Sequence, residues 1–416
     1  MRFALRIVTR WLVVFMLAVA PPAPAATGAA SSRVVAVGDI HGAYSELVSI
    51  LQTAGLTDSK LGWSGGTATF IQTGDVMDRG AQTRACLDLL MKLQSQAAKA
   101  GGRVVTLLGN HEAMNLMGDL RYVTPEIYGT FAGAQSEKIR ERAYQDYRRY
   151  VSSRSDRFPK LTEADDDAAR QKWLEAHPLG YFEYRDALGP NGIYGRWLRK
   201  HQAIYQAAGG LFVHGGLDPK LNYRAISEIE DRVRAELDRF DVLWQRLADG
   251  RYIWKYMTLR EAVATLAEQE KVIQAQDQPD AMDDLPHIQQ LLGYRNWLVP
   301  SSNGPLWYRG LAEDPEDTLM EAVNAMLARL KAQFIVTGHT VISKSEITSR
   351  FEHRVFLIDT GMLKESYSGR ASALEIQNGR FTALYVGAES KVLPGPGTGK
   401  LAPAREMAGQ SGLRWR

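Results

Sequence analysis

Arg33-Val34-Val35-Ala36-Val37-Gly38-Asp39-Ile40-His41-Gly42 is the stretch whose reading decides the fold. Its first five residues are a short apolar run rich in β-formers, as a buried strand requires. The run then breaks at once into glycine, aspartate and histidine, and helical periodicity follows over residues 43–54. Strand, polar turn and helix make the unit of an open α/β sheet, which builds its sites at the carboxyl ends of its strands.

The unit recurs along the chain. Apolar runs at residues 67–73, 103–108, 211–213, 333–337 and 354–358 read as further buried strands, and residues 81–100 as a second helix. Four of these runs lead into polar clusters: Gly74-Asp75-Val76-Met77-Asp78-Arg79-Gly80, Gly109-Asn110-His111-Glu112, His214-Gly215-Gly216 and Gly338-His339-Thr340. Divalent cations want carboxylate oxygen, amide oxygen and neutral imidazole, and the clusters supply all three. Asp39 and His41 stand two apart, so at an extended strand end they point the same way and can hold one ion. Asp75 has two oxygens with which to bridge that ion to a second, whose shell Asn110, His214 and His339 complete. Paired ions lie roughly 3.5–4 Å apart, activate a water between them and clamp both oxygens of an in-line displacement. Any one cluster alone reads as a turn or a helix cap. Five in this order, each at a strand end, read as a metal centre.

Composition sets the frame. The 416 residues are 45% hydrophobic and 23% charged, as in an ordinary globular protein. Residues 1–25 differ: Arg2, Arg6 and Arg10 precede a ten-residue apolar run and the small residues Ala23-Pro24-Ala25, the pattern of a cleaved signal peptide. That run is too short for a spanning helix, which needs roughly 20 apolar residues. We therefore expect export, with a bacterial periplasm as the location, and no stable membrane insertion after cleavage. Without that segment, 47 basic residues face 47 acidic ones, so nothing points to a nucleic-acid partner. Cys86 is the sole cysteine, and no intrachain disulfide can form. A cysteine-nucleophile phosphatase is excluded as well, because Lys92 stands six positions after Cys86 where such chemistry needs Arg. Residues 26–390 are expected to form one domain with helical insertions at about 122–206 and 225–298. The stretch 391–416 reads as a disordered tail.

The series GD-H-G, GD-DRG, GNHE, HGG and GH resembles the phosphoprotein phosphatase branch of the calcineurin-like metallophosphoesterases. Pro178-Leu179-Gly180, Gly189-Pro190-Asn191-Gly192 and Pro305-Leu306-Trp307-Tyr308-Arg309-Gly310 are similar, further, to Shewanella-like phosphatases. The resemblance implies a four-layer α/β fold of two mixed sheets flanked by helices. It implies two divalent ions (Mn, Fe or Zn), the first on Asp39, His41 and Asp75 and the second on Asp75, Asn110, His214 and His339. It implies that His111 protonates the leaving alcohol, that Asp78 orients His111, and that Arg79 and Arg309 grip the phosphate, with Asn110 in the same substrate-binding set. Diesterase relatives read Gly-His-x-His at the last motif, whereas the fourth position here is Val341. That departure favours the monoesterases.

The expected activity is hydrolysis of phosphate monoesters on phosphoprotein, peptide or small-molecule substrates by attack of a hydroxide held between two metals. Hydrolysis of a nucleotide or dinucleotide polyphosphate is the alternative. An inactive binding scaffold is a third reading, disfavoured because every ligand position is intact.

Overall fold

The computed structural model describes residues 33–154, 167–276 and 282–397. The proposed signal peptide, residues 1–25, lies outside them, as do residues 398–416 of the proposed tail. Six strands occupy the six apolar runs: β1 (Val34–Val37), β2 (Thr69–Gln72), β3 (Arg103–Thr106), β5 (Gly210–Val213), β6 (Phe334–Thr337) and β8 (Val355–Leu357). Five more strands lie between and beyond them: β4 (Ile204–Ala207), β7 (Thr348–Arg350), β9 (Ser372–Gln377), β10 (Arg380–Tyr385) and β11 (Lys391–Leu393).

They assemble into two mixed sheets, ordered β11-β10-β9-β1-β2-β3 and β4-β5-β6-β8-β7. Parallel pairing joins β1, β2 and β3 in one sheet and β5, β6 and β8 in the other, and antiparallel strands flank each trio. In-register neighbours such as Val35, Phe70 and Val104 stack across the first trio.

Alternation along the strands makes the layers. Val34 and Ala36 of β1 join Phe212, Phe334, Val336, Phe356 and Phe381 in an apolar cluster fed by both sheets. Within it Phe356 of one sheet stacks on Phe381 of the other, with ring centres 4.7 Å apart. Val35 and Val37 face the opposite way, toward helices α1 (Tyr44–Thr53) and α2 (Thr83–Lys99), which bury Leu47, Ile50, Leu51, Leu87, Leu90 and Leu93 against them. Each such side chain contributes about 1.5–3 kcal/mol on leaving water. Cys86 sits in this layer, fully buried, and burial pushes its thiol pKa far up, so it is an inert core group.

Beyond α3 (Asn110–Leu116), the chain runs through α4 (Pro125–Gly129), α5 (Ser136–Arg154), α6 (Asp167–Ala176), α7 (Tyr181–Leu188) and α8 (Ile193–Leu198). The stretch 122–206, expected to be helical throughout, ends instead in β4. Ala208 and Gly209, with φ of 49° and 81°, turn the chain tightly into β5, as a two-residue hairpin with both central residues at positive φ requires. Four residues reading Ile-Tyr-Gln-Ala are too few for a helix-or-strand periodicity to declare itself. Residues 225–298 hold α9 (Ile226–Asp249), α10 (Leu259–Gln276) and the helix Leu285–Leu292. The two insertions share an aromatic core in which Trp173 stacks on His177 at 4.2 Å, and Phe182 packs on Tyr256 at 5.0 Å.

The expected tail also needs correcting at its start. Residues 391–393 pair with β10 as the edge strand β11 and bury Leu393, so they belong to the sheet. Among the described residues no helix is long and apolar enough to cross a membrane.

Candidate active site

Six parallel strands, three from each sheet, aim their carboxyl ends at one point. β1 delivers Asp39 and His41, β2 Asp75, Asp78 and Arg79, β3 Asn110 and His111, β5 His214, β6 His339, and β8 Asp359. The turns that do this are tight. His41, Asp75, Asp78, Arg79 and His339 all have positive φ, between 48° and 69°, a conformation that L side chains adopt at a cost and that concentrates at functional sites. Gly42 marks one close approach: a Cβ there would lie 2.3 Å from the Gly80 carbonyl oxygen. The two turns interlock, since the Asp75 carbonyl accepts from the amides of Ile40 and His41 at 2.9 Å each.

The ten residues singled out from the sequence all come together, and eight of them are buried. Backbone partners set the histidine tautomers. His41 donates Nδ1–H to the Met77 carbonyl at 2.8 Å, leaving the Nε2 lone pair facing Asp75 Oδ2 at 3.7 Å and Asp39 Oδ2 at 3.9 Å. His214 donates Nδ1–H to the Thr73 carbonyl at 3.0 Å. Its Nε2 lone pair then meets Asn110 Oδ1 at 2.8 Å, Asp75 Oδ2 at 3.3 Å and His339 Nδ1 at 3.2 Å. His339 Nε2 is buried without a hydrogen-bond partner among the described residues.

Lone pairs converging in this way repel one another unless a cation stands among them. The donor set is oxygen and neutral imidazole, which divalent ions accept. His41, Asp75 and His111 fall in one compact group of possible ligands, and Asp75, His214 and His339 in another, so Asp75 is common to both. The residues present therefore fit a pair of divalent ions sharing Asp75.

Charge within the pocket is set by burial and by neighbours. Burial pushes His41 down to about 3 and His339 to about 2, so both rings are neutral and available as ligands. Burial, Asp359 and Asp75 hold Asp39 well above the usual carboxylate range. For Asp75, the surrounding histidines outweigh burial and hold its carboxyl well below that range.

His111 differs from the other three. Its Nδ1 binds Asp78 Oδ2 at 2.6 Å, and Asp78 Oδ1 accepts from Asn115 Nδ2 at 2.9 Å. Burial alone would lower its pKa, but the Asp75 charge and the Asp78 hydrogen bond win and raise it. Its Nε2 lies 3.4 Å from Arg79 Nη2, at the mouth of the site. Arg79 is itself clasped between the rings of Tyr122 and Tyr367, with its guanidinium carbon 5.3 and 5.2 Å from their centres. Arg309 donates to the His339 carbonyl at 2.8 Å and to Thr340 Oγ1 at 3.0 Å, and the Trp307 ring stands edge-on to His339. The Trp-Tyr-Arg run thus packs against the turn that carries His339.

Four contributors escaped the sequence reading. Glu112, fully buried, accepts from the amides of Asp75, Val76, Met77 and Gly109 at 2.7–3.1 Å. Asn115, one helical turn after His111, holds Asp78 and in turn accepts from the Tyr184 hydroxyl at 2.5 Å. Tyr184 comes from α7, so the first insertion reaches the core of the site. Asp359 directly follows the apolar run 354–358, as Gly38-Asp39 follows 33–37, and that placement was the signal available for it.

This fold and this cluster define a metal-dependent phosphoesterase. Residues 32–343 match the family model for calcineurin-like phosphoesterases, and the chain belongs to that family. It is 29% identical over 347 residues to an uncharacterized protein of Schizosaccharomyces pombe, covering 82% of this chain and 76% of that one. It is 32% identical over 220 residues to Shewanella-like protein phosphatase 2 of Arabidopsis thaliana, covering 50% and 52%. Among solved structures it resembles the cold-active protein-tyrosine phosphatase of a psychrophilic Shewanella species at 24% identity, with a TM-score of 0.55 over 87% of this chain and 80% of that one. The family is one of divalent-metal phosphatases, and this chain is a hydrolase of phosphate esters.

Proposed function

We propose that this protein is a phosphomonoesterase acting on phosphorylated protein side chains, with two divalent ions held by Asp39, His41, Asp75, Asn110, His214 and His339. Such a pair supplies a nucleophilic water at neutral pH and neutralises charge building on the phosphate. The observation that carries the reading is the His111–Asp78 pair: alone of the four site histidines, His111 binds a carboxylate through Nδ1, while its Nε2 stands 3.8 Å from Asp75 Oδ2. His111 Nε2 lies beside Arg79 at the mouth, where a leaving oxygen departs, and the Asp75 charge and the Asp78 hydrogen bond raise its pKa, which favours the protonated ring an acid needs. Asp78 fixes the tautomer and stabilises the imidazolium. Arg79 and Arg309 bind the non-bridging oxygens, and the stacking of Arg79 between two tyrosines presets its fork for a phosphate.

Tyr122, Tyr367 and Trp307 line this mouth with aromatic faces. That lining favours an aryl leaving group, so phosphotyrosine is the preferred substrate in this reading. The test is a panel of phosphotyrosine, phosphoserine and phosphothreonine peptides, mononucleotides and a dinucleotide polyphosphate, assayed with Mn²⁺ and after chelation. Turnover surviving full metal removal would defeat the metal reading. A dinucleotide polyphosphate turned over faster than every phosphopeptide would transfer the assignment to the alternative.

A further inference from the structure

Asp359 closes β8, the one parallel strand of the six whose terminal residue has no part in the proposed ligand set. The residue is 2% exposed, and its Oδ1 accepts from the Gly361 amide at 3.0 Å. Its Oδ2 is buried and receives no hydrogen-bond donor among the described residues. Asp75 and His214 act on it electrostatically, and the Asp39 carboxyl lies within hydrogen-bonding reach of it, all of the centre itself. Its backbone cannot retreat. The Ile342 amide donates to the Asp359 carbonyl at 3.0 Å, tying it to the turn that carries His339. On the other side Gly38 packs so closely that a Cβ there would lie 3.2 Å from Asp359 Cα. Val341 contributes only hydrocarbon to this corner, its Cγ1 lying against Gly361.

A buried carboxylate oxygen set beside a second carboxylate is repulsive unless a cation or a proton compensates it. The fold fixes Asp359 beside Asp39 with no lysine, arginine or amide of the described residues offered to Oδ2. We infer that Asp359 belongs to the divalent-cation centre, as an additional anionic group on the Asp39 side that strengthens retention of the first ion. This rests on the metallophosphatase reading above. A carboxylate added to a site with one imidazole makes that position richer in oxygen, which suits a hard ion such as Mn²⁺.

The experiment is calorimetric titration of metal-stripped protein with MnCl₂, alongside elemental analysis and thermal melts of the stripped forms, for wild type, Asp359→Asn and Asp359→Ala. Asparagine keeps an oxygen for Gly361 and removes the charge. Alanine removes both. Loss of a partner next to a metal ligand costs about 10–100-fold in affinity. The inference expects that weakening at one of two sites in both variants, with ion content falling from two toward one while the stripped asparagine variant melts no lower than wild type. Wild-type affinity at both sites in Asp359→Asn would overturn it and make Asp359 a turn residue or a neutral acid hydrogen-bonded to Asp39. If wild type itself took up fewer than two ions, the phosphatase reading would fall along with this inference, which keeps the two failures apart.

Discussion

Glu112→Gln isolates the part of the site that holds the metal loop in shape. Oε2 of Glu112 accepts from the amides of Asp75 and Gly109, and Oε1 from those of Val76 and Met77. Glutamine retains one oxygen and turns an NH₂ toward the other two amides. Two hydrogen bonds are lost and two buried N–H groups are left without acceptors, each at about 1–3 kcal/mol. The expected loss is therefore about 2–6 kcal/mol, a large share of the roughly 5–15 kcal/mol that stabilises a domain. It should be read from urea unfolding of the Mn²⁺-loaded protein at pH 8. In the metal-free protein, burial and the Asp75 charge push the Glu112 carboxyl up to about 7. A carboxyl raised above its unfolded value contributes stability below that unfolded value and loses it as pH rises through about 7. Below that point the stripped wild type carries a neutral acid that glutamine imitates, so the difference between the two proteins should shrink in acid without metal. Asp75 sits at φ 58° with its amide and the next two gripped by Glu112, so two-ion uptake should fall together with stability. A glutamine variant within about 0.5 kcal/mol of wild type and binding both ions would refute the reasoning, since that is the ordinary range for a substitution touching no special feature.

Other outcomes follow from the same geometry. His111→Ala should leave both ions bound and slow a serine phosphate by roughly 10²–10⁴-fold, with a nitrophenyl phosphate losing at least about tenfold less, because that leaving group departs without a proton. Equal losses on the two substrates would reassign the histidine. Since the His111 pKa is raised above 6.5 and the acid must be protonated, turnover of the serine phosphate should fall as pH rises through that raised value. Asp78→Asn, which removes the stabilising charge, should move that limb to lower pH, and an unmoved limb would detach it from His111. Tyr184→Phe removes the donor to Asn115 Oδ1, and a several-fold loss in kcat with KM and ion content unchanged is expected. Mass spectrometry of the protein recovered from its host should find an N-terminus near Ala26, and intact Met1 in a membrane fraction would support an anchor instead.

The parts of this site that can be read in the sequence are those built by local chain geometry. A buried parallel strand is a continuous apolar run, and the residues after it must turn sharply beside neighbouring turns, so glycine, aspartate, asparagine and histidine collect there. Residues 33–42 and 67–80 therefore announce both a strand and its site. The flanking antiparallel strands do not. β10 alternates from exposed Arg380 to buried Phe381 along its length, and β7 has no buried residue at all, so neither offers an apolar run to recognise. Their partners are remote in sequence, and nothing local marks the pairing.

Long-range contact hides the supporting side chains for the same reason. Asn115 lies one turn after His111 and could be suspected from spacing alone, but its link to Tyr184 crosses from α3 to α7 of an insertion whose sequence reads as generic amphipathic helix. The hydroxyl of Tyr184 is fully buried and pointed at an amide that holds the partner of the proposed acid. Such a bond would be costly to leave unmade in a medium this dry. The insertion is thus part of the proton-handling side of the pocket: Tyr184 fixes Asn115, Asn115 fixes Asp78, and Asp78 fixes His111. The metal side rests instead on Glu112, whose carboxylate grips the amides of Asp75, Val76, Met77 and Gly109 and makes no hydrogen bond to Tyr184 or Asn115 among the described residues. Substitutions in α7 should therefore alter leaving-group dependence without altering ion content, whereas substitutions at Glu112 should do the reverse.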